Sequence, residues 1–171
     1  MKPNAIVYTS NTGYTGQYAA MLAEKTGIAV YSLKEAKEKL SNDSSVIYLG
    51  WLMAGIIKGY KKAQKLFNIV AVCGVGMGAT GSQIQDLQKV NELPASLPIF
   101  TLQGGFDLKK LRGVYKLMMT IMANTVGKKL TDKKDRTPDE DDMLDLLING
   151  GNRVNDKNLD SVLNWYNMLK N

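Results

Sequence analysis

The segment Thr9-Ser10-Asn11-Thr12-Gly13-Tyr14-Thr15 gathers hydroxyls, an amide and a glycine where an apolar run gives way to a helical pattern. The first turn of a helix leaves backbone N–H groups free, and its dipole favours negative charge, so this segment is built to receive an anion. Ser10, Thr12 and Thr15 can donate hydroxyl hydrogen bonds, and Gly13 lets the backbone come close to a ligand. The segment holds no lysine or arginine and lacks the GxxxxGK spacing of a triphosphate-binding loop, so a monophosphate suits it better. The competing reading is a strand-to-helix turn with ordinary Ser/Thr capping.

Two further groups follow later strands: Trp51-Leu52-Met53-Ala54-Gly55 and Gly74-Val75-Gly76-Met77-Gly78. Trp51 could stack on a planar ring or pack the edge of a sheet. Gly74-x-Gly76-x-x-Ala79 also fits a dinucleotide fingerprint, but that fingerprint expects an acidic residue at the end of the next strand, and Leu102-Gln103 stands there. The chain has no histidine, which excludes Ser-His-Asp and Cys-His catalysis and HExxH zinc chemistry. Its one cysteine, Cys73, excludes an internal disulfide, a CxxC pair and a four-thiolate metal site, and reads as a small core residue. No residue stands out as an obligate acid or base, so redox chemistry here requires a cofactor.

The elements that position these groups alternate. Ala5 to Thr9, Ile28 to Leu33, Val46 to Gly50, Asn68 to Cys73 and Ile99 to Leu102 read as strands. Helical patterns fill Tyr14 to Lys25, Lys34 to Leu40 and Lys58 to Leu66. Continuous apolar strands interleaved with helices predict a doubly wound α/β fold on a parallel sheet, whose ligands bind at the carboxyl ends of the strands. A length of 171 residues with 44% apolar and 22% charged residues predicts one domain over 1–171. The chain shows neither a membrane-length apolar run nor signal-peptide organisation, which predicts a cytoplasmic protein.

The run Ile6-Val7-Tyr8-Thr9-Ser10-Asn11-Thr12-Gly13-Tyr14-Thr15-Gly16-Gln17-Tyr18-Ala19-Ala20-Met21-Leu22 closely resembles the flavodoxin signature. The resemblance implies a five-stranded parallel sheet in the order 2-1-3-4-5, with helices added after strand five. It also implies flavin mononucleotide (FMN), with its phosphate on Ser10 to Thr15. The isoalloxazine ring would then lie between Trp51-Leu52-Met53-Ala54 and Gly74-Val75-Gly76-Met77-Gly78. Flavodoxins usually offer an aromatic in the second of these loops, where this chain has glycines and Met77.

From Lys109 to Arg136 nine cations face two acids, a local excess of +7 against +6 for the whole chain. Leu108, Leu111, Tyr115, Met118, Met119, Ile121 and Met122 give the same segment a Met-rich apolar face. That face either packs on the sheet or offers a surface to a membrane, an anionic partner or a second copy of the chain. Lys109, Lys110, Arg112 and Lys116 are the residues expected to make such a contact. Positions 103 to 131 are similar in arrangement to the flavodoxin branch that includes menaquinone-dependent protoporphyrinogen oxidases, which implies a flavin enzyme or reductase working near a membrane. The expected partners are a redox protein or a small-molecule electron acceptor. A flavodoxin-like interaction module with weak or no flavin is the alternative, and nucleic acid is not favoured because no aromatic-basic interleaving appears.

Overall fold

The computed structural model describes residues 1–169. Five apolar, β-branched runs form parallel strands: β1 (Ala5–Thr9), β2 (Ala29–Ser32), β3 (Ser45–Met53), β5 (Asn68–Gly76) and β6 (Ile99–Gln103). They pair in the order β2-β1-β3-β5-β6, and a two-residue strand, β4 (Ile56–Ile57), folds back antiparallel on the end of β3. The sheet therefore has six strands rather than the five expected. Its parallel members, taken in chain order, stand second, first, third, fourth, fifth.

Helices cover both faces, because the strands are apolar on both. On one side α1 (Tyr14–Thr26) and α7 (Asp160–Met168) bury Tyr18, Ala19, Leu22 and Val162 against Ile6, Ile47, Leu49 and Cys73. On the other, α2 (Leu33–Lys39), α3 (Tyr60–Gln64) and α4 (Ile84–Val90) bury Ala36, Tyr60, Ala63 and Leu87 against Ala5, Val7, Tyr48 and Val72. Ser32 and Glu35 form a reciprocal capping box that starts α2 sharply. Trp165 on α7 is half-buried and packs on Phe100 at 5.9 Å between ring centroids.

Beyond β6 the chain builds an addition with its own small core. A two-strand ribbon, β7 (Gly105–Phe106) with β8 (Gly151–Asn152), flanks α5 (Gly113–Asp132) and α6 (Pro138–Asn149). Phe106, Ala123, Leu130, Leu146 and Leu147 bury one another there. The inner face of α5 thus packs on α6 and the ribbon, not on the sheet. Helix α6 begins with a Thr137–Glu140 capping box and Pro138 in its first turn.

Strands three and four both outrun their expected ends. Trp51, Leu52 and Met53 continue β3, and Gly74, Val75 and Gly76 continue β5, so two segments expected as loops are largely strand. The turn that reverses the chain into β4 is Ala54-Gly55, both at positive φ. Buried Asn91 holds this hairpin: its Oδ1 accepts the Ile57 N–H at 2.8 Å and its Nδ2 donates to the Gly55 carbonyl at 2.8 Å. Asn91→Ala strands a buried backbone N–H, so urea denaturation should report a loss of about 1–3 kcal/mol.

Burial pushes the Cys73 thiol up to about 12 and also raises the Tyr48 phenol. Above the unfolded thiol's value near 8.5, the unfolded chain releases a proton that the folded chain keeps, so stability must fall as pH rises from there towards 12. Cys73→Ala should flatten that decline over pH 9 to 10, measured as the midpoint of thermal unfolding against pH.

Candidate functional site

At the carboxyl edge of the sheet β1 stops at Thr9, opposite Gly50, while β3 and β5 run on to Met53 and Gly76. This step leaves a cleft of about 190 Å³ floored by the overrunning strands and bounded by the start of α1. Asn11, Thr12, Tyr14 and Thr15 line it from the first segment, Trp51 to Gly55 from β3 and its hairpin, and Val75 to Gly78 from the end of β5. Three stretches far apart in the sequence therefore meet on one hollow, at the edge where parallel sheets bind ligands.

Ser10, Gly13 and Gly74 do not line it. Ser10 is exposed and its Oγ accepts the Gly13 N–H at 3.1 Å, which folds the loop back on itself. Gly13 caps α1 at φ +96°, a conformation that a residue with a Cβ rarely adopts. Gly74 is buried in β5, where an added Cβ would stand 2.9 Å from a Leu52 methyl, and Gly76 makes the same concession at 3.0 Å. Both glycines make room for a neighbouring side chain, and Gly76 alone of the two also lines the cleft. The dinucleotide fingerprint fails because it must open directly into a helix, and α4 does not begin until Ile84.

The first segment is poised for an anion. Thr15 is 1% exposed and Thr12 half-buried, yet neither hydroxyl bonds to another described residue, and both line the cleft. Tyr14 instead turns inward, its hydroxyl donating to the Gly151 carbonyl at 3.2 Å. Burial, and secondarily the Asp107 carboxylate, raise the Tyr14 pKa, so the phenol stays protonated and serves as a strut. Among the described residues no lysine or arginine lines the cleft; the Lys110 ammonium sits outside, 5.2 Å from the Tyr14 ring centre.

Trp51 forms the aromatic wall. Its ring meets Tyr115 of α5 edge-on at 5.4 Å, and Lys58 lies 5.9 Å from both rings. The remaining wall went unread in the sequence as a site: Met119 and Met122 of α5, Met143 of α6, Phe106 and Asp107 close the side away from the sheet. The Met-rich pattern was visible, but nothing in its periodicity distinguishes a helix on the sheet from one beside a cleft.

Polar contacts tie this outer wall to the strands. Gln103 Nε2 donates to the Met77 carbonyl at 3.3 Å and to Asp142 at 2.6 Å, and Arg153 Nε donates to Asp142 at 2.9 Å. Asn158 Nδ2 donates to the Tyr18 hydroxyl at 2.6 Å and to the Arg153 carbonyl at 3.0 Å, while Tyr18 donates to the Gln103 carbonyl. Asp145 accepts from Asn149 and Arg153, and these bonds hold its carboxyl below the usual carboxylate range. No protein-family model, curated protein or solved structure matches the chain.

Gly105 is the tightest joint in this wall: an added Cβ would collide with the Gly151 carbonyl and stand 2.7 Å from the Tyr14 ring. Gly105→Ala should cost about 1–3 kcal/mol, read by chemical denaturation, because the obstacle is partly backbone and cannot rotate away. Gly127→Ala, which meets nothing within 4 Å on α5, is the control and should not destabilise.

Proposed function

We propose that this is an FMN-binding, flavodoxin-like redox protein, acting in electron transfer or in flavin-dependent oxidoreduction. One observation carries the reading: the segment that resembles the flavodoxin phosphate loop and the two segments that follow strands three and four converge on a single cleft at the carboxyl edge of a parallel sheet. The chemistry of the residues fits the group. Thr12 and Thr15 offer unpartnered hydroxyls beside the free N–H groups at the start of α1, which suits a phosphate monoester without a cationic side chain. Trp51 offers an aromatic face, and the backbone from Gly76 to Gly78 lines the cleft where a ring edge would lie, its Gly76 and Met77 carbonyls already accepting from Gly104 and Gln103.

Bound there, the flavin would supply the one- and two-electron chemistry that the side chains lack. The chain's own part is positioning and exclusion. Gly13 sets the loop, Trp51 limits the tilt of a ring, and Met119, Met122 and Met143 keep water from the outer side. Asp107 is the one carboxylate among the described residues of the wall, and Lys110 stands 3.9 Å from it, outside the cleft.

The test is the visible spectrum of the freshly purified protein, followed by titration of apoprotein with FMN while flavin and tryptophan fluorescence are read together. One-to-one quenching is expected, with Trp51→Ala weakening the affinity about threefold to tenfold. A colourless protein indifferent to FMN overturns the proposal and leaves the interaction module as the better reading.

A further inference from the structure

Helix α5 has two faces. The inner one carries Met119, Ala123, Val126 and Leu130 into the small core and the cleft wall. The outer one leaves Val114, Leu117, Met118 and Ile121 exposed at 63%, 62%, 44% and 58%. Spacings of three and four put these four on one stripe over two turns, unlike the isolated exposed apolar residues Ile148 and Met168 elsewhere. Further along the stripe come Thr125 and Lys128, with Lys129 beside them.

Cations lie at both ends of this stripe. Lys109, Lys110 and Arg112 precede the helix, Lys128 and Lys129 lie on it in line with the stripe, and Lys116 lies on another face; no acidic residue occurs between 109 and 129, and Asp132 comes one turn later. Among the described residues only Lys110 of the six has an ion pair, with Asp107 at 3.9 Å. We infer that the outer face of α5 docks on an anionic lipid surface, with Val114, Leu117, Met118 and Ile121 entering the headgroup boundary and Lys109, Arg112, Lys128 and Lys129 meeting lipid phosphates.

Charge decides between this occupant and a second copy of the chain. A symmetric pairing through α5 would bring two sets of these cations face to face. The acids near α5 cannot balance them: Glu140, Asp141, Asp142 and Asp145 are engaged with Lys133, Arg136 and Arg153, and from 109 to 136 only Asp132 and Asp135 stand against nine cations. The surface is also a ridge, the outer side of one helix, and a ridge of flexible aliphatic and thioether side chains enters lipid without needing a shaped groove. The inference does not depend on whether the cleft holds flavin.

The experiment is co-sedimentation of the full chain with vesicles of phosphatidylcholine alone and of phosphatidylcholine mixed with phosphatidylglycerol, across a salt series. Binding is expected to the mixed vesicles only and to weaken with salt. Lys128→Gln with Lys129→Gln should reduce it roughly 25-fold, about fivefold per charge removed. Leu117→Asp with Ile121→Asp should reduce it by about tenfold or more, and Leu117→Gln with Ile121→Gln repeats the loss without added charge. Circular dichroism checks that each variant stays folded. Absence of binding to the mixed vesicles overturns the proposal, as does binding that survives both apolar pairs. A solution dimer that the Leu117 and Ile121 variants dissociate would also overturn it, by making a second copy the occupant.

Discussion

The whole molecule depends on a mismatch of strand lengths at one edge of the sheet. β1 ends opposite Gly50, but β3 and β5 continue beyond it, and two strands can run on together only if their facing side chains fit. The fit is made by absence. Gly74 and Gly76 carry no side chain, so Leu52 of the neighbouring strand lies over them, and the extended pair closes without a gap. The shelf that results is both the floor of the cleft and the platform for the β4 hairpin, which Asn91 pins from α4. Remove the glycines and the cleft loses its floor, whatever the loops above it contain.

A second constraint works from the far end of the chain. The ribbon of β7 and β8 brings residues near 150 against residues near 105, and both against Tyr14, whose hydroxyl spans to Gly151. Gln103, Asp142, Arg153, Asn158 and Tyr18 then join strand, helix and tail in a connected set of hydrogen bonds around the base of the cleft. Hydrogen bonds to charged groups contribute more than neutral ones, and a set that shares partners fixes position as well as stability. The loop carrying Thr12 and Thr15 therefore rests on a braced wall.

Much of this was legible from residue order alone, and the failures share one cause. Apolar runs such as Ala5 to Thr9 and Ile99 to Leu102 fixed the strands, and the segment from Ser10 to Thr15 marked one side of the cleft, because both signals are local. Trp51-Leu52-Met53 and Gly74-Val75-Gly76 read as loops since glycine and a departure from β-branched residues usually mean a loop. In the fold each explains the other, the glycines accommodating Leu52, and that pairing spans more than twenty positions of sequence. The two-residue strands β4, β7 and β8 carry no periodicity at all, being too short to repeat. Met119 and Met122 were visible as an apolar pattern and Met143 was not, and their place on the cleft wall follows from α5 and α6 standing beside the sheet.

That placement of α5 also explains why one helix can wall a cleft and still leave an apolar stripe outside. A helix lying flat on a sheet buries a broad face, and its lysines need only reach solvent around the edges. Here the sheet is already covered by α1, α2, α3, α4 and α7, so α5 has only α6 and the ribbon to pack against. Those neighbours take up the face centred on Ala123 and Leu130, and Tyr115 adds a single aromatic contact to Trp51. The chain has no further element to cover Val114, Leu117, Met118 and Ile121 among the described residues, and none of those described helices is long and apolar enough to cross a membrane. An apolar stripe on such a helix, with Lys128 and Lys129 in line with it and α6 and the ribbon behind it, is what the proposed docking on an anionic surface rests on.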